Sequence, residues 1–349
     1  MVMNQMRPHL TVVLTLFTAF ACAAQETGAP AGPGYHLLEQ IPIGGEGGSD
    51  NLTLDPKTRR LYVPHESKIV VVDIDQNQIA GEITNTPGVH TFLPVDEYGV
   101  GFSTDGGEDR LALIKLKTLK TRSKIKAGLD PDTIVHDSGS DLIYVFNRGD
   151  NSVSLFESDD GDAVSTTPLP GKPAGAAVDP LAGHVFCNLE GTNAVAVIDA
   201  VSHQVVNVWP IGSGENPSGM ALDISHHRLF LVCQGNNRLV MMDSVNGRVI
   251  DSAPIGKGGE AVAFDPATQL VFSANGEGNV TIVHEDSPDK LTVMQILATA
   301  VGTRALALDP KTHDLYVAAA EYNPSAQPVS GGQSPAMIPG SFKILVYGK

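Results

Sequence analysis

The sequence predicts an all-β fold: a seven-bladed β-propeller with four antiparallel strands per blade, closed into one ring. Three observations predict it. An aliphatic strand ending in Asp recurs at Asp55, Asp96, Asp137, Asp179, Asp223, Asp265 and Asp309, with gaps of 41, 41, 42, 44, 42 and 44 residues. Each unit carries four short strand signals separated by tight turns. The seventh unit lacks its fourth strand, and an orphan strand signal precedes the first unit.

Within a unit the first strand is short and apolar, as at residues 261–264 and 305–308. An Asp-Pro-x-Thr type of turn follows, where Pro has its φ already set for the second turn position. The second strand is aromatic and β-branched: Leu61-Tyr62-Val63, Ile143-Tyr144-Val145, Leu229-Phe230-Leu231, Leu315-Tyr316-Val317. A Gly/Asn-rich turn leads to the third strand, as at residues 70–73 and 195–199, and the fourth runs toward a Gly, as at 205–212 and 249–256. The 36 Gly and 23 Pro serve these turns, and 42% hydrophobic residues suffice for a large core. No segment shows a helical period through so many turns and β-branched runs. A WD40 ring is disfavoured by the single Trp209.

Ring closure follows from the chain ends. The seventh unit has strand signals at 304–308, 314–319 and 341–347. Residues 35–44, with Leu37, Leu38, Ile41 and Ile43, are expected to complete that last blade, so that residues 35–349 form one domain. A full ring removes the uncapped ends of an open repeat array. Residues 321–340 form a long Pro-rich insertion with Gly331-Gly332, either a lid or a surface loop.

Residues 1–24 read as an export signal. Arg7 supplies the positive region, residues 10–20 an apolar run of 11 residues, too short to span a bilayer, and Ala-rich pairs a cleavage site. A second reading takes Cys22 as a lipid-attachment site, in a segment resembling a bacterial lipobox without its Leu. Periplasmic or extracellular location is therefore expected. Cys187 and Cys233 occupy nearly equivalent strand positions in adjacent blades. Sheets about 10 Å apart hold cysteines too far apart to bridge, so two buried free thiols are expected.

The segments Tyr144-Val145-Phe146-Asn147 and Val195 to Asp199 resemble the YVTN repeat of exported, YncE-like β-propellers. The resemblance covers all seven units, with the motif's Asn replaced by His65, Asp105 and Gln234 in the first, second and fifth. It implies a seven-bladed propeller outside the cytoplasm with a binding role, and it supplies no catalytic residues. Some relatives are associated with DNA. The net charge of -16 here points away from nucleic acid, whose phosphates need clustered Lys and Arg.

Starts of first strands and ends of second strands share one face and ring the channel mouth. The residue five before each aligned Asp gives Asp50, Thr91, Asp132, Ala174, Ser218, Glu260 and Arg304. The second-strand ends add His65, Asn147, Arg148, Glu190, Glu277 and Glu321, and His90 sits beside Thr91. These positions vary while the strand cores stay uniform. They suggest a convergent, mostly acidic pocket anchored by Arg148 and Arg304, for a small polar ligand or a divalent cation. Arg304 is expected beside Asp50, and Asp132 and Glu260 outside the packed blade interior. His184, His226, His227 and His313 are expected as exposed turn residues on the opposite face.

No nucleophile elbow, phosphate loop, dinucleotide fingerprint or His-Glu-x-x-His occurs. A monomeric binding scaffold for a small ligand, cation or envelope protein is therefore expected rather than an enzyme. The alternatives are a metal-assisted, lactonase-like hydrolase at the mouth and an accessory subunit of an envelope redox complex, both by analogy of fold.

Overall fold

In the computed structural model, which describes Met1 and residues 34–45, 48–322 and 337–349, the aligned aspartates are turn-makers. The export segment, Cys22 and residues 323–336 of the insertion lie outside the described residues. Asp55, Asp137, Asp179, Asp223, Asp265 and Asp309 are each 3% exposed or less. Through Oδ1 each accepts the backbone N–H two residues on, at 2.9–3.1 Å. That bond curls the chain into the second strand. The residue four after the Asp, such as Arg59 (φ 56°) or His313 (φ 65°), takes the left-handed conformation that completes the turn.

Blade 2 departs from the sequence alignment. Its first strand is Val89–Val95, and Val95 pairs with Val100. Asp137 pairs in the same way with Leu142, and Asp223 with Arg228. Val95 is therefore the structural counterpart of the repeated Asp, and Asp96 lies one residue beyond. The left-handed residue Gly99 (φ 64°), four after Val95, agrees.

Seven sheets of four antiparallel strands follow one another along the chain. In blade 3 the strands are Pro131–Asp137, Leu142–Asn147, Ser152–Glu157 and Ala163–Pro168. The last sheet is assembled from both chain ends: Leu306–Leu308, Leu315–Ala319, Lys343–Gly348 and then His36–Pro42 as outer strand. His36 pairs with Gly348 and Pro42 with Lys343. Tyr35 fastens this strand to blade 6: its backbone exchanges hydrogen bonds of 3.0 and 2.8 Å with the Gln295 amide, and its ring meets Phe272 edge-on at 5.3 Å.

Packing is organised between blades. The third residue of each second-strand register is aromatic: Tyr62, Phe102, Tyr144, Phe186, Phe230, Phe272 and Tyr316, none more than 3% exposed. Each sits in an apolar cluster shared with the next blade, Tyr144 with Val185 and Cys187, for example, and Phe230 with Val271 and Val283. The cluster at the last joint joins Tyr316, Ile344 and Ile41 to Leu61 and Val63 of blade 1. Cys187 and Cys233 are buried in these seams as free thiols, and burial pushes both up, Cys233 to about 12.

Among the described residues helix is limited to two single turns, Asp96–Tyr98 and Gly106–Glu108. Among the described residues no helix is long and apolar enough to cross a membrane.

The opposite-face histidines need correction. His313 Nδ1 lies 2.8 Å from buried Asp265 Oδ2, and His226 Nδ1 lies 2.6 Å from buried Asp223 Oδ2. His184 is half-buried with its ring 6.1 Å from Phe186. Only His227 is an exposed turn residue as expected.

Deleting residues 35–44 strips the edge from Lys343–Gly348 and removes Ile41, which is 2% exposed, from the closing seam. Burial of that one side chain is worth about 2 kcal/mol, and an unpaired edge invites association. The truncated protein is expected to melt several degrees lower and to elute as larger species in gel filtration. An unchanged melting temperature and elution would show that this strand does not close the ring.

Candidate functional site

The register of blade 2 decides which residues meet at the channel. With Val95 as the reference, the position five residues earlier is His90, not Thr91. The seven equivalent residues are then Asp50, His90, Asp132, Ala174, Ser218, Glu260 and Arg304, and all line one cavity of about 470 Å³. Thr91, one residue on, also lines the cavity, with its backbone N–H donating to Thr104 Oγ1 at 3.0 Å. Arg148 and Glu190, at equivalent positions ending second strands in blades 3 and 4, complete the wall.

Small residues make room for the long ones. A side chain at Gly106 would lie 2.6 Å from His90 Nε2, and one at Gly276 would lie 3.1 Å from Arg304 Nε. Gly106 and Gly276 occupy the register position that Arg148 holds in blade 3. Where that position is empty, the first strand supplies the charged group.

The charges are paired across blades. Asp50 Oδ2 lies 2.6 Å from His90 Nδ1, and Asp130 Oδ1 lies 3.4 Å from His90 Nε2. The Arg148 guanidinium bridges Asp132, at 2.9 Å, and both Glu190 oxygens, at 3.1 Å. Lys172 Nζ approaches Glu190 at 3.4 Å. Arg304 Nη1 lies 3.3 Å from Glu260 Oε2, so its partner is Glu260 rather than the expected Asp50. Asp132 is 6% exposed and belongs to the channel wall's packed layer, contrary to the expectation that it stands outside. The pocket is thus rich in carboxylates, as expected, with Arg148, Arg304 and His90 set among them.

Burial works against a charged His90, but the hydrogen bond to Asp50 and the fields of Asp132, Asp50 and Asp130 outweigh it and lift the imidazole to about 9. Burial and the Asp50 charge push Asp132 up, against the pull of His90 and Arg148. Burial also raises Glu260, with Arg304 opposing.

Four expected site residues lie elsewhere. His65 is 2% exposed, stacked on Phe342 with ring centres 4.5 Å apart, and its Nδ1 meets the Gly48 carbonyl at 3.1 Å. Asn147 is fully buried and ties its own turn, donating to Ser152 and Ser154 and accepting from Gly128 N–H. Glu277 accepts from Asn279 Nδ2 at 2.8 Å within a turn of blade 6. Glu321 pairs with Lys343 at 3.1 Å on an exposed edge. Conversely, Asp130 and Lys172 join the network without having been singled out. The run Asp130-Pro131-Asp132, two acids flanking a strand-opening Pro, is the signal that points to the first.

No known family profile and no curated protein matches the chain. Solved structures do. The chain is similar to hydrazine synthase of Kuenenia stuttgartiensis, with 16% identity and a TM-score of 0.70, over 78% of this chain and 92% of that one. It is similar also to a chain of a mitotic checkpoint complex, with 12% identity and a TM-score of 0.74, over 96% and 99%. The fold is that of a β-propeller. At such identities the likeness carries nothing about chemistry.

The His90 pair sets a pH dependence. A group whose folded value is raised from 6.5 to about 9 contributes stability that is complete below 6.5 and is lost as pH rises through 9. In Asp50→Asn the imidazole is expected to titrate at least about one unit lower. NMR of the His90 ring measures this, and an unmoved midpoint would separate Asp50 from the effect.

Proposed function

We propose that this chain is an exported, YVTN-type propeller that acts as a binding scaffold and takes a small polar ligand, bearing both positive and negative groups, in the channel mouth. One observation carries the reading: seven equivalent positions of a repeat fold bring four different ionisable residue types, His, Arg, Asp and Glu, plus Ala174 and Ser218, to one cavity. A repeat that served only to fold would set like residues there. Blade 5 alone, with Ser218 and Gln234, lines the cavity without a charged group, so the ring of charge has a gap that gives a ligand a direction. Export rests on the N-terminal segment.

A bare divalent cation is the weaker occupant. Asp50, His90 and Asp132 do converge, with donor atoms within 4.8 Å of one another. A metal there must displace a proton held at about 9, a cost near neutrality of roughly 3 kcal/mol, and must compete with Arg148 for Asp132. The metal-assisted hydrolase reading carries the same cost. A ligand with a cationic and an anionic end can exchange partners with Asp132 and Arg148 while leaving each charge compensated.

The test is a thermal-shift screen of amino acids, betaines, sugar acids and metal ions against wild type and an Asp132→Asn/Glu260→Gln double variant. A mixed-charge compound is expected to stabilise wild type and to bind the double variant at least about tenfold more weakly, because a partner charge is then left uncompensated. Equal shifts in both proteins would place the ligand elsewhere. A shift produced only by metal ions would favour the cation.

A further inference from the structure

The rim opposite the channel mouth carries a second convergence. The Asp turn of blade 5 and the third strand of blade 6, Asn279–Ser287, bring Asp223, His226 and Glu285 together. Their donor atoms all lie within 4.8 Å of one another.

Each of the two blades breaks its repeat at this point. In blades 1, 3, 6 and 7 the residue three after the aligned Asp is Thr58, Ser140, Thr268 or Thr312, whose hydroxyl donates to Oδ2 of that Asp. Blade 5 has His226 there instead. Asp223 Oδ1 still accepts from Ser225 N–H and Oγ, at 2.9 and 2.6 Å, which fixes the carboxylate and leaves Oδ2 facing the imidazole. The second break is Glu285, whose N–H bonds to the Gln269 carbonyl. The counterparts with the same backbone bond are Ile74, Leu116, Ala200 and Ser244, all buried and none acidic.

The Glu285 carboxylate has no hydrogen-bond donor, and Asp223 Oδ2 faces only the His226 ring. Glu285 is fully buried, Asp223 is 2% exposed, and both Glu285 oxygens, Asp223 Oδ2 and His226 Nδ1 have no hydrogen-bond partner of acceptable geometry. Nδ1 lies 2.6 Å from Asp223 Oδ2 and 3.5 Å from Glu285 Oε1. The nearby cation, Arg228, is committed to other groups. Its Nη1 lies 3.2 Å from Asp243, its Nη2 lies 3.4 Å from Asp289, and its Nε donates to the Pro288 carbonyl at 2.5 Å. It thereby clamps the blade 6 hairpin that carries Glu285 onto blade 5. Three donor residues within 4.8 Å of one another, with both Glu285 oxygens buried and unpartnered, suit a cation better than a hydrogen-bond network.

We propose that Asp223, His226 and Glu285 form a divalent transition-metal site that cross-links blades 5 and 6. Two carboxylates balance the charge of a divalent ion. The imidazole selects zinc-like ions over Mg²⁺ and Ca²⁺, which prefer all-oxygen sets. The His226 side chain is 32% exposed, which gives the ion an entry path. The role is structural, since the site sits in a blade joint and Asp223 and Glu285 are both buried there.

The probe is Zn²⁺ added to chelator-treated, full-length protein. One equivalent is expected to bind and to raise the melting temperature by about 5 °C, with Mg²⁺ doing neither. Glu285→Gln and His226→Gln should each abolish the rise, and Asp132→Asn at the mouth should keep it, which separates this site from the ligand pocket. His226→Gln, at a partly exposed turn, carries the test should Glu285→Gln not fold. Absence of a Zn²⁺ shift in wild type would overturn the proposal and leave Asp223 and Glu285 sharing a proton. So would a shift that survives in His226→Gln, or one lost in Asp132→Asn.

Discussion

Each blade holds its neighbour through one buried aromatic ring, and the rest of the molecule depends on that contact. A four-stranded sheet has two faces to cover and little thickness of its own. Placing Tyr62, Phe102, Tyr144, Phe186, Phe230, Phe272 and Tyr316 at one register position covers both faces of every sheet with the same packing unit. The unit works only if the last blade meets the first. That seam uses Ile41 from the strand before blade 1, Ile344 from the last strand and Leu61 from blade 1. Closure is thus a packing requirement, and the terminal strand is its means.

Because the seams carry the packing, the channel layer is free to vary. It is not free to be charged at random. Asp132 is held at 6% exposure beside Arg148, and Arg148 is shared with Glu190 from the next blade. Removing one member would strand another in a poorly solvated wall, which costs more than the pair itself is worth. The channel groups therefore form a matched set, within which a ligand of the proposed kind would have to exchange partners.

The fold was legible because its signals are local and periodic. The Asp turn, the aromatic strand and the missing fourth strand each occupy a few residues, and the repeat multiplies them. The site was less legible because residue type does not reveal strand pairing. Asp96 resembles the repeated Asp, yet Val95 holds its place in the register, and this one-residue slip makes His90, with Thr91 beside it, the counterpart of Asp50 and Asp132 at the channel. The second-strand ends failed by a similar step. Arg148 and Glu190 face the channel, whereas Asn147, one residue earlier, points the other way and ties its own turn. His65 shares the position of Asn147 and so is buried in a joint. Of the partners of His226, Asp223 lies three residues away, but Glu285 could not be read, since it comes from another blade and sits where the repeat otherwise has small or apolar residues.

The two polar clusters show how such a fold gains chemistry. Both arise where single residues depart from the repeat, and both join adjacent blades through a histidine between two acids. They differ in how the charge is met. At the mouth, His90 holds a proton between Asp50 and Asp130, and Arg148 answers Asp132, so every acid has a cationic partner. At the opposite rim Arg228 serves Asp243 and Asp289, and the oxygens of Glu285 are left bare; burial and the Asp223 charge raise this carboxyl to about 7. A matched set of charges suits exchange with a ligand that comes and goes. An unmatched, buried set suits an ion that stays. The same scaffold thus offers, at its two rims, the electrostatic conditions for recognition and for reinforcement.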